Sequence, residues 1–286
     1  RVKTQIKEIQ QDIRTMYTTT SKEIRGMKYR YFTNDTMAGY SIAGGKEWEP
    51  HITKFAELYN TFYGIKNIVD VGANFGYHTL LFSRVASMNV YAFEPQIQNF
   101  KLLEDNIKSN DIKNVFVYND GCGDTNCEIK MPVMESNAVV NMGDITPNFG
   151  IDGRKFSITK SVLLDDIQFL SKIDLIKIDV QGWEKKVLIG ANNLLKTHKP
   201  TMIVEFEFFQ LAKTNTSCKE LFDYIREQNY YIFYLEYKYP SDHICVHNDN
   251  LEDFKAKFAK YIFPHTENNS INNNVLNGVT EKLVMS

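Results

Sequence analysis

Between Asn67 and Thr79 the chain reads Asn67-Ile68-Val69-Asp70-Val71-Gly72-Ala73-Asn74-Phe75-Gly76-Tyr77-His78-Thr79. An apolar, β-branched run is followed by a turn of small residues and then by a stretch with helical periodicity. That order is a buried strand, a tight turn and a helix, and in a doubly wound sheet such a turn lies at the carboxyl edge, where ligands bind. From Asn67 onward the same alternation repeats. Strands are expected at Ile68–Val71, Val90–Phe93, Val115–Tyr118, Leu175–Asp179 and Met202–Phe206, with helices at His78–Ala86, Gln96–Ser109 and Trp183–Lys196. Residues 217–229 read as a further helix. Tyr230–Tyr234 then reads as a strand, and His243–Val246 as its antiparallel partner across Pro240-Ser241. The expected fold is α/β and Rossmann-like: a mostly parallel seven-stranded sheet with an antiparallel edge strand and helices on both faces.

The 286 residues divide accordingly into an N-terminal helical appendage with a turn at Gly44-Gly45 (1–60), a main domain (61–263) and an Asn-rich tail around Asn272-Asn273-Asn274 (264–286). Ile6, Ile9, Ile13 and Met16 fall at helical spacing in the appendage, and Pro132–Lys155 reads as a long loop. With 33 Lys and Arg against 35 Asp and Glu, the net charge is −2, so a broad basic surface for nucleic acid is not expected. No apolar run is long enough to span a membrane. Cys122, Cys127, Cys218 and Cys245 include no C-x-x-C pair, and they read as free thiols in a reducing, cytoplasmic compartment, with a Cys122–Cys127 disulfide as the alternative. A chain opening on Arg1 also fits one module of a larger polypeptide.

Several features carry chemistry. The D-x-G-x-x-x-G pattern of Asp70, Gly72 and Gly76 departs from the G-x-G-x-x-G of dinucleotide enzymes, and its carboxylate suits a ligand with a sulfonium or ammonium centre. Gly72 and Gly76 allow close approach of backbone to ligand, and the helix start near His78 offers amide donors. Their plainer reading is a strand-to-helix turn. Glu94, before Pro95, ends the second strand eighteen residues beyond Gly76, close to the offset of about 20 at which a carboxylate accepts from ribose hydroxyls. The turn Asn119-Asp120-Gly121-Cys122-Gly123 follows the third strand and can meet an adenine ring or simply form an Asx turn. Together these describe a nucleoside pocket.

These segments, with Val162-Leu163-Leu164-Asp165-Asp166, Ile176-Lys177-Ile178-Asp179-Val180-Gln181-Gly182-Trp183-Glu184, Val187–Ala191 and Pro200–Glu205, resemble the ordered motifs of the FkbM-type S-adenosylmethionine-dependent methyltransferases, over roughly residues 45–210. The resemblance implies a class I methyltransferase fold and O-methylation of a hydroxyl, commonly on a sugar or polyketide, leaving S-adenosylhomocysteine. It also implies a cofactor pocket drawn from Asp70, Gly72, Ala73, Asn74, Gly76, Tyr77, His78, Thr79, Glu94, Pro95, Asp120, Gly121, Cys122 and Asp179, with Glu49 of Gly45-Lys46-Glu47-Trp48-Glu49 near the methionine end. The family usually carries Glu where this chain has Gln181 and a small residue where it has Trp183.

Asp179 ends its strand at the same edge as Asp70 and Glu94, Glu205 ends the next strand, and Lys177 shares a sheet face with Asp179. Asp179 is the expected general base, with Glu205 positioning the acceptor hydroxyl and Lys177 holding the carboxylates' ionisation, binding the acceptor or forming a structural ion pair. His243 is the second candidate base, though a histidine in a strand is more often a packing residue. Asp179, Glu184 and Glu205 offer hard oxygen donors to a divalent cation, which is an alternative and not the expectation. Trp183 and the aromatic run 230–239 can stack on a sugar ring or belong to the core. The expected acceptor is a small molecule or a glycan. The competing readings are a nicotinamide-dependent oxidoreductase of Rossmann type, which lacks its fingerprint here, and a non-catalytic nucleoside-binding module, for which Gln181 is the only hint. DNA base methylation lacks an Asn-Pro-Pro-Tyr-like motif.

Overall fold

The computed structural model describes residues 18–135, 139, 141–237, 242–265 and 279–285. The helical spacing through Ile6 and Met16, the Pro240-Ser241 turn and Asn272–Asn274 lie outside them. The described chain opens on a hairpin, β1 (Thr19–Ile24) and β2 (Met27–Phe32), whose turn places Arg25 (φ 53°) and Gly26 (φ 69°) in the left-handed region. Paired positive φ values give the turn the twist that a hairpin needs. The helix-and-loop expectation for residues 1–60 is corrected here. Met27, Tyr29 and Tyr31 alternate inward from β2, and this period of two is the strand signal. They pack with Tyr77, Leu80 and Leu81 in one cluster. The hairpin is therefore part of the body.

Helices α1 (Ala38–Ala43) and α2 (Pro50–Tyr63) follow. The alternating part then runs β3 (Asn67–Val71), α3 (Tyr77–Val85), β4 (Asn89–Phe93), α4 (Ile97–Ser109) and β5 (Val115–Tyr118). A small sheet of β6 (Asp120–Cys122), β7 (Cys127–Pro132) and β8 (Phe156–Val162) interrupts it. The chain returns through β9 (Leu175–Ile178), α5 (Glu184–Ile189), α6 (Asn192–His198), β10 (Thr201–Glu205), α7 (Phe208–Lys213), α8 (Cys218–Glu227), β11 (Tyr230–Leu235), β12 (Asp242–His247), α9 (Leu251–Lys257), β13 (Ile262–Pro264) and β14 (Glu281–Leu283).

The large sheet has the order β13-β14-β11-β12-β10-β9-β3-β4-β5. The strands from β5 to β10 are parallel, and β12 is antiparallel to both β10 and β11. Two details of the expected sheet change. The antiparallel strand lies inside the sheet and not at its edge, because β11 continues beyond it. Among the described residues the sheet has nine strands, since β13 and β14 extend it. Val279 and Leu283, expected in a loose tail, are buried in the two cores that cover the sheet faces. Phe55 and Ala56 of α2 are fully buried in one of these cores, so the body also begins before residue 61.

The single helix expected over Trp183–Lys196 is two. A Cβ at Gly190 would lie 1.9 Å from the Gly123 carbonyl oxygen, so the chain must pass there without a side chain. Beyond the break, Asp165 accepts the Asn193 and Leu194 N–H groups, 2.8 Å each, and starts α6. The four cysteines are free, which agrees with the thiol reading and excludes the Cys122–Cys127 bridge. The other expected strands and helices fall within one or two residues of their places.

Candidate active site

A cavity of about 560 Å³ opens at the carboxyl edge of β3, β4, β9 and β10. It is closed from above by the segment before α2 and by the loop through Met142 and Ile145. Of the residues expected to bind a cofactor, Glu49, Gly72, Asn74, Glu94, Pro95, Asp120, Gly121, Cys122 and Asp179 line it. Asp70, Ala73, Gly76, Tyr77, His78 and Thr79 do not.

The β3 turn is shaped by its own backbone. Gly72 (φ 82°) has no room for a side chain, because a Cβ there would lie 1.8 Å from the Asp179 carbonyl oxygen. Its freedom lets β3 close on the end of β9 while its backbone also borders the cavity. Asn74 (φ 53°) turns its N–H onto Glu94 Oε2 at 2.8 Å, and the Gln96 N–H reaches Glu94 Oε1 at 2.8 Å. Burial raises the Glu94 carboxyl to about 7 despite these two donors.

Asp70 is corrected. It is fully buried behind the cavity wall, accepts the Thr79 hydroxyl at 2.6 Å, and its Oδ1 lies 3.9 Å from Lys177 Nζ. A strand residue this deep is covered by the helix that follows it, so its carboxylate meets the chain's own ammonium and hydroxyl. Lys177 also reaches Asp179 Oδ2 at 3.2 Å. Burial by itself pulls a lysine down, but Asp179, Asp70 and Glu49 outweigh it and hold Lys177 charged. Lys177 does not line the cavity and pairs with both Asp70 and Asp179, so its contact is with the chain's own carboxylates.

Asp179 and Glu205 meet as expected, joined by Gln181. The Gln181 side-chain amide donates to Asp179 Oδ1 at 2.7 Å and to Glu205 Oε2 at 3.1 Å. Burial, which raises a carboxyl, is outweighed at Asp179 by Lys177, the Gln181 amide and the Glu205 carboxyl, so Asp179 is held below the usual carboxylate range. Glu205 is pushed well above it by burial and then by Asp179, Asp242, Glu184 and Glu49. The two carboxyls are thus pushed in opposite directions, Asp179 toward the ionised and Glu205 toward the protonated form. Directly across β10 and β12, Glu205 faces Asp242, whose Oδ2 is 2.7 Å from His51 Nε2. The His51 ring stacks on Tyr237 with centroids 4.0 Å apart. Asp242 and Tyr237 line the cavity.

His243 is corrected as a candidate base. Its ring packs between Phe206 (4.5 Å) and Tyr234 (5.8 Å) and does not border the cavity. The alternation of β12 explains this, since neighbours in a strand face opposite sides and Asp242 takes the cavity side. His78 is buried and its Nε2 lies 3.0 Å from Glu49 Oε2, so it supports Glu49 from behind. Glu184 accepts the Val180 and Gly182 N–H groups, 3.1 Å each, at the start of α5. Among the described residues no three His, Cys, Asp or Glu side chains converge on a metal-binding point. Trp183 borders the cavity, whereas Tyr230–Tyr234 belong to the core. Tyr237, from the aromatic run 230–239, borders the cavity, while sequence reasoning missed Trp48, Asn99, Met142, Gln210 and Asp242. Only Trp48 carried a signal, as the neighbour of Glu49.

A sheet of this order, with one antiparallel strand inserted beside β10 and a cavity at its carboxyl edge, defines a class I methyltransferase fold. The chain belongs to the FkbM methyltransferase domain family, whose model matches residues 70–232. Methyltransferase 1 of Beauveria bassiana (strain ARSEF 2860) is 26% identical over 145 residues, 44% of this chain and 58% of the relative, so the chain spans less than two thirds of that protein. Among solved structures, methyltransferase FkbM from Methylobacillus flagellatus KT is similar with a TM-score of 0.46 and 19% identity, over 65% of this chain and 47% of that one. SMU.1697c from Streptococcus mutans, solved in complex with SAH, has a TM-score of 0.43 and 12% identity, over 68% and 96%.

Proposed function

We propose that the cavity binds S-adenosylmethionine and that the methyl group goes to a hydroxyl of a sugar, a glycan or a similar polyol. The donor set fits that cofactor. Each Glu94 oxygen takes one backbone N–H, which leaves lone pairs for the two ribose hydroxyls. Asp120, Gly121 and Cys122 border the adenine side, and Glu49 stands at the end meant for the sulfonium and ammonium. When bound, the cofactor supplies an electrophilic methyl group whose S–C bond breaks as the O–C bond forms, leaving S-adenosylhomocysteine.

The chain must hold the acceptor in line, exclude water and take one proton. The observation that carries the reading is the Asp179–Glu205 pair on the cavity wall, bridged by the Gln181 side-chain amide. Asp179 takes the proton from the acceptor oxygen. That oxygen becomes strongly acidic once alkylated, so a carboxylate held below its usual range is still base enough. Glu205, Asp242, Gln210 and Tyr237 surround the acceptor end with hydrogen-bonding groups and one ring, which suits a polyhydroxyl acceptor.

The test is thermal stabilisation by S-adenosylhomocysteine against NAD, followed by transfer of labelled methyl onto a panel of defined sugars. A ligand that binds only the folded chain raises its apparent stability. Stabilisation by NAD and not by S-adenosylhomocysteine would overturn the proposal.

A further inference from the structure

Gln181 stands where three segments of the cavity wall meet, and its backbone is unusual. Its φ is 54°, a left-handed conformation that costs a glutamine free energy, and the following Gly182 (φ 103°) has the Gln210 carbonyl oxygen 2.2 Å from where a Cβ would be. Tertiary contacts hold this turn in place. The Thr146 hydroxyl donates to the Gln181 carbonyl at 2.9 Å, and the Thr214 hydroxyl to the Gly182 carbonyl at 2.6 Å. The result is a single aim for the side chain: the one amide nitrogen spans Asp179 Oδ1 and Glu205 Oε2. An amide NH₂ has two hydrogens to give and no charge to add.

We infer that Gln181 is the positioning residue of the Asp179–Glu205 pair, its neutral amide orienting both carboxyls so that Asp179 stays open to the acceptor's proton. The inference rests on the function proposed above and deepens it. The groups facing the pair come from several elements. Lys177 on β9 and the Gln181 amide favour the ionised Asp179. Glu184 at the start of α5, Asp242 on β12, backed by His51 from α2, and Glu49 before α2 add negative charge that pushes Glu205 toward the protonated form. Asp70 on β3 faces Lys177 from the other side. Lys177 is the one ammonium in this set, so the pair's charge is set by hydrogen bonds as much as by ion pairing.

Replacing the amide changes that balance in two separable ways. Gln181→Glu substitutes a third acid for the double donor. Gln181→Asn keeps the side-chain type that best tolerates positive φ but is one methylene shorter and cannot span both oxygens. Both variants raise the affinity of Asp179 for a proton, the first more strongly because a like charge is added. In the full-length chain the acid limb of kcat should move up by about 1–2 pH units in Gln181→Glu and by less in Gln181→Asn. The Kd for S-adenosylhomocysteine, measured near neutral pH, should change little.

A second readout does not depend on turnover. Side-chain ¹³C-carboxyl titration by NMR, compared between the native chain, Asp179→Asn and the two Gln181 variants, reads the pair directly. The upward shift of the lower titration step must appear there too. Unchanged carboxyl titrations in both variants, with thermal midpoints showing that they are folded, would overturn the inference. Shifted titrations in a chain that neither binds S-adenosylhomocysteine nor transfers methyl would instead overturn the function and leave the role of Gln181 in ordering the pair standing.

Discussion

The carbonyl oxygen of Asp179 occupies the space in which Gly72 would carry a side chain, 1.8 Å from the position of a Cβ. Two strand ends, one bearing the proposed cofactor-binding turn and the other the proposed base, are thereby held at backbone contact. Gly72→Ala should lose roughly 3 kcal/mol of stability, about 1 from a positive φ and the rest from overpacking that only backbone movement can relieve. Denaturant unfolding measures it. A loss under about 0.5 kcal/mol would show that the two strand ends separate easily.

Asp179→Asn should keep S-adenosylhomocysteine binding and lose turnover by about 10²–10⁴-fold, because the amide accepts no proton while filling the same space. Binding by calorimetry and rate by methyl transfer separate the two effects. Full turnover in this variant would remove Asp179 from the chemistry.

Glu94→Gln should weaken S-adenosylhomocysteine binding by about 10–100-fold, the range for hydrogen bonds to a charged group. The amide can no longer accept both the Asn74 and Gln96 N–H groups, so the turn that shapes the ribose site is disturbed as well. In the native chain the carboxyl stands at about 7 before ligand arrives, so affinity should fall as pH drops below that value. Calorimetry in a pH series checks both statements.

Stability should fall as pH rises between about 5 and about 8. Burial raises Glu94 and Glu184 to about 7, above their ordinary value of 4.5, so in that window the folded chain binds more protons than the unfolded one. The slope of unfolding free energy with pH is then negative, and each group accounts for up to about 3 kcal/mol across the window. Glu184→Gln keeps an acceptor for the backbone amides and cannot ionise, so its thermal midpoint should decline less steeply with pH. Parallel curves for the two proteins would contradict this.

Thiol labelling should count one reactive cysteine in the native chain and four after denaturation. Cys127 is exposed, whereas Cys122, Cys218 and Cys245 are buried. Burial holds the Cys122 thiol well above its ordinary range, which adds to its inertness. Fewer than four thiols after denaturation without reductant would reveal a disulfide.

Much of the fold was legible because its signals are local. A buried strand, small residues and a helix in succession constrain one another through adjacent backbone geometry, and β3 to α3 falls where the run from Asn67 to Thr79 places it. Acidic residues that end strands were legible for the same reason, and Glu94, Asp179 and Glu205 do reach one cavity. The roles of Asp70 and His243 were misread because a strand position says which face a residue takes and not what covers that face. Helix α3 covers Asp70, and Phe206 with Tyr234 covers His243.

The sequence by itself determined the order of strands and helices, the turn at Gly72 and the set of carboxylates at the sheet's edge, since each depends on neighbours within a few residues. How readily each of those carboxylates ionises was decided only by the tertiary structure. Asp179 is pushed below and Glu205 above the ordinary range because Lys177 and Gln181 meet the first, while burial and then Asp179, with Asp242 and Glu49 distant in the chain, act on the second. A proton's place depends on every charge and dipole within a few ångströms.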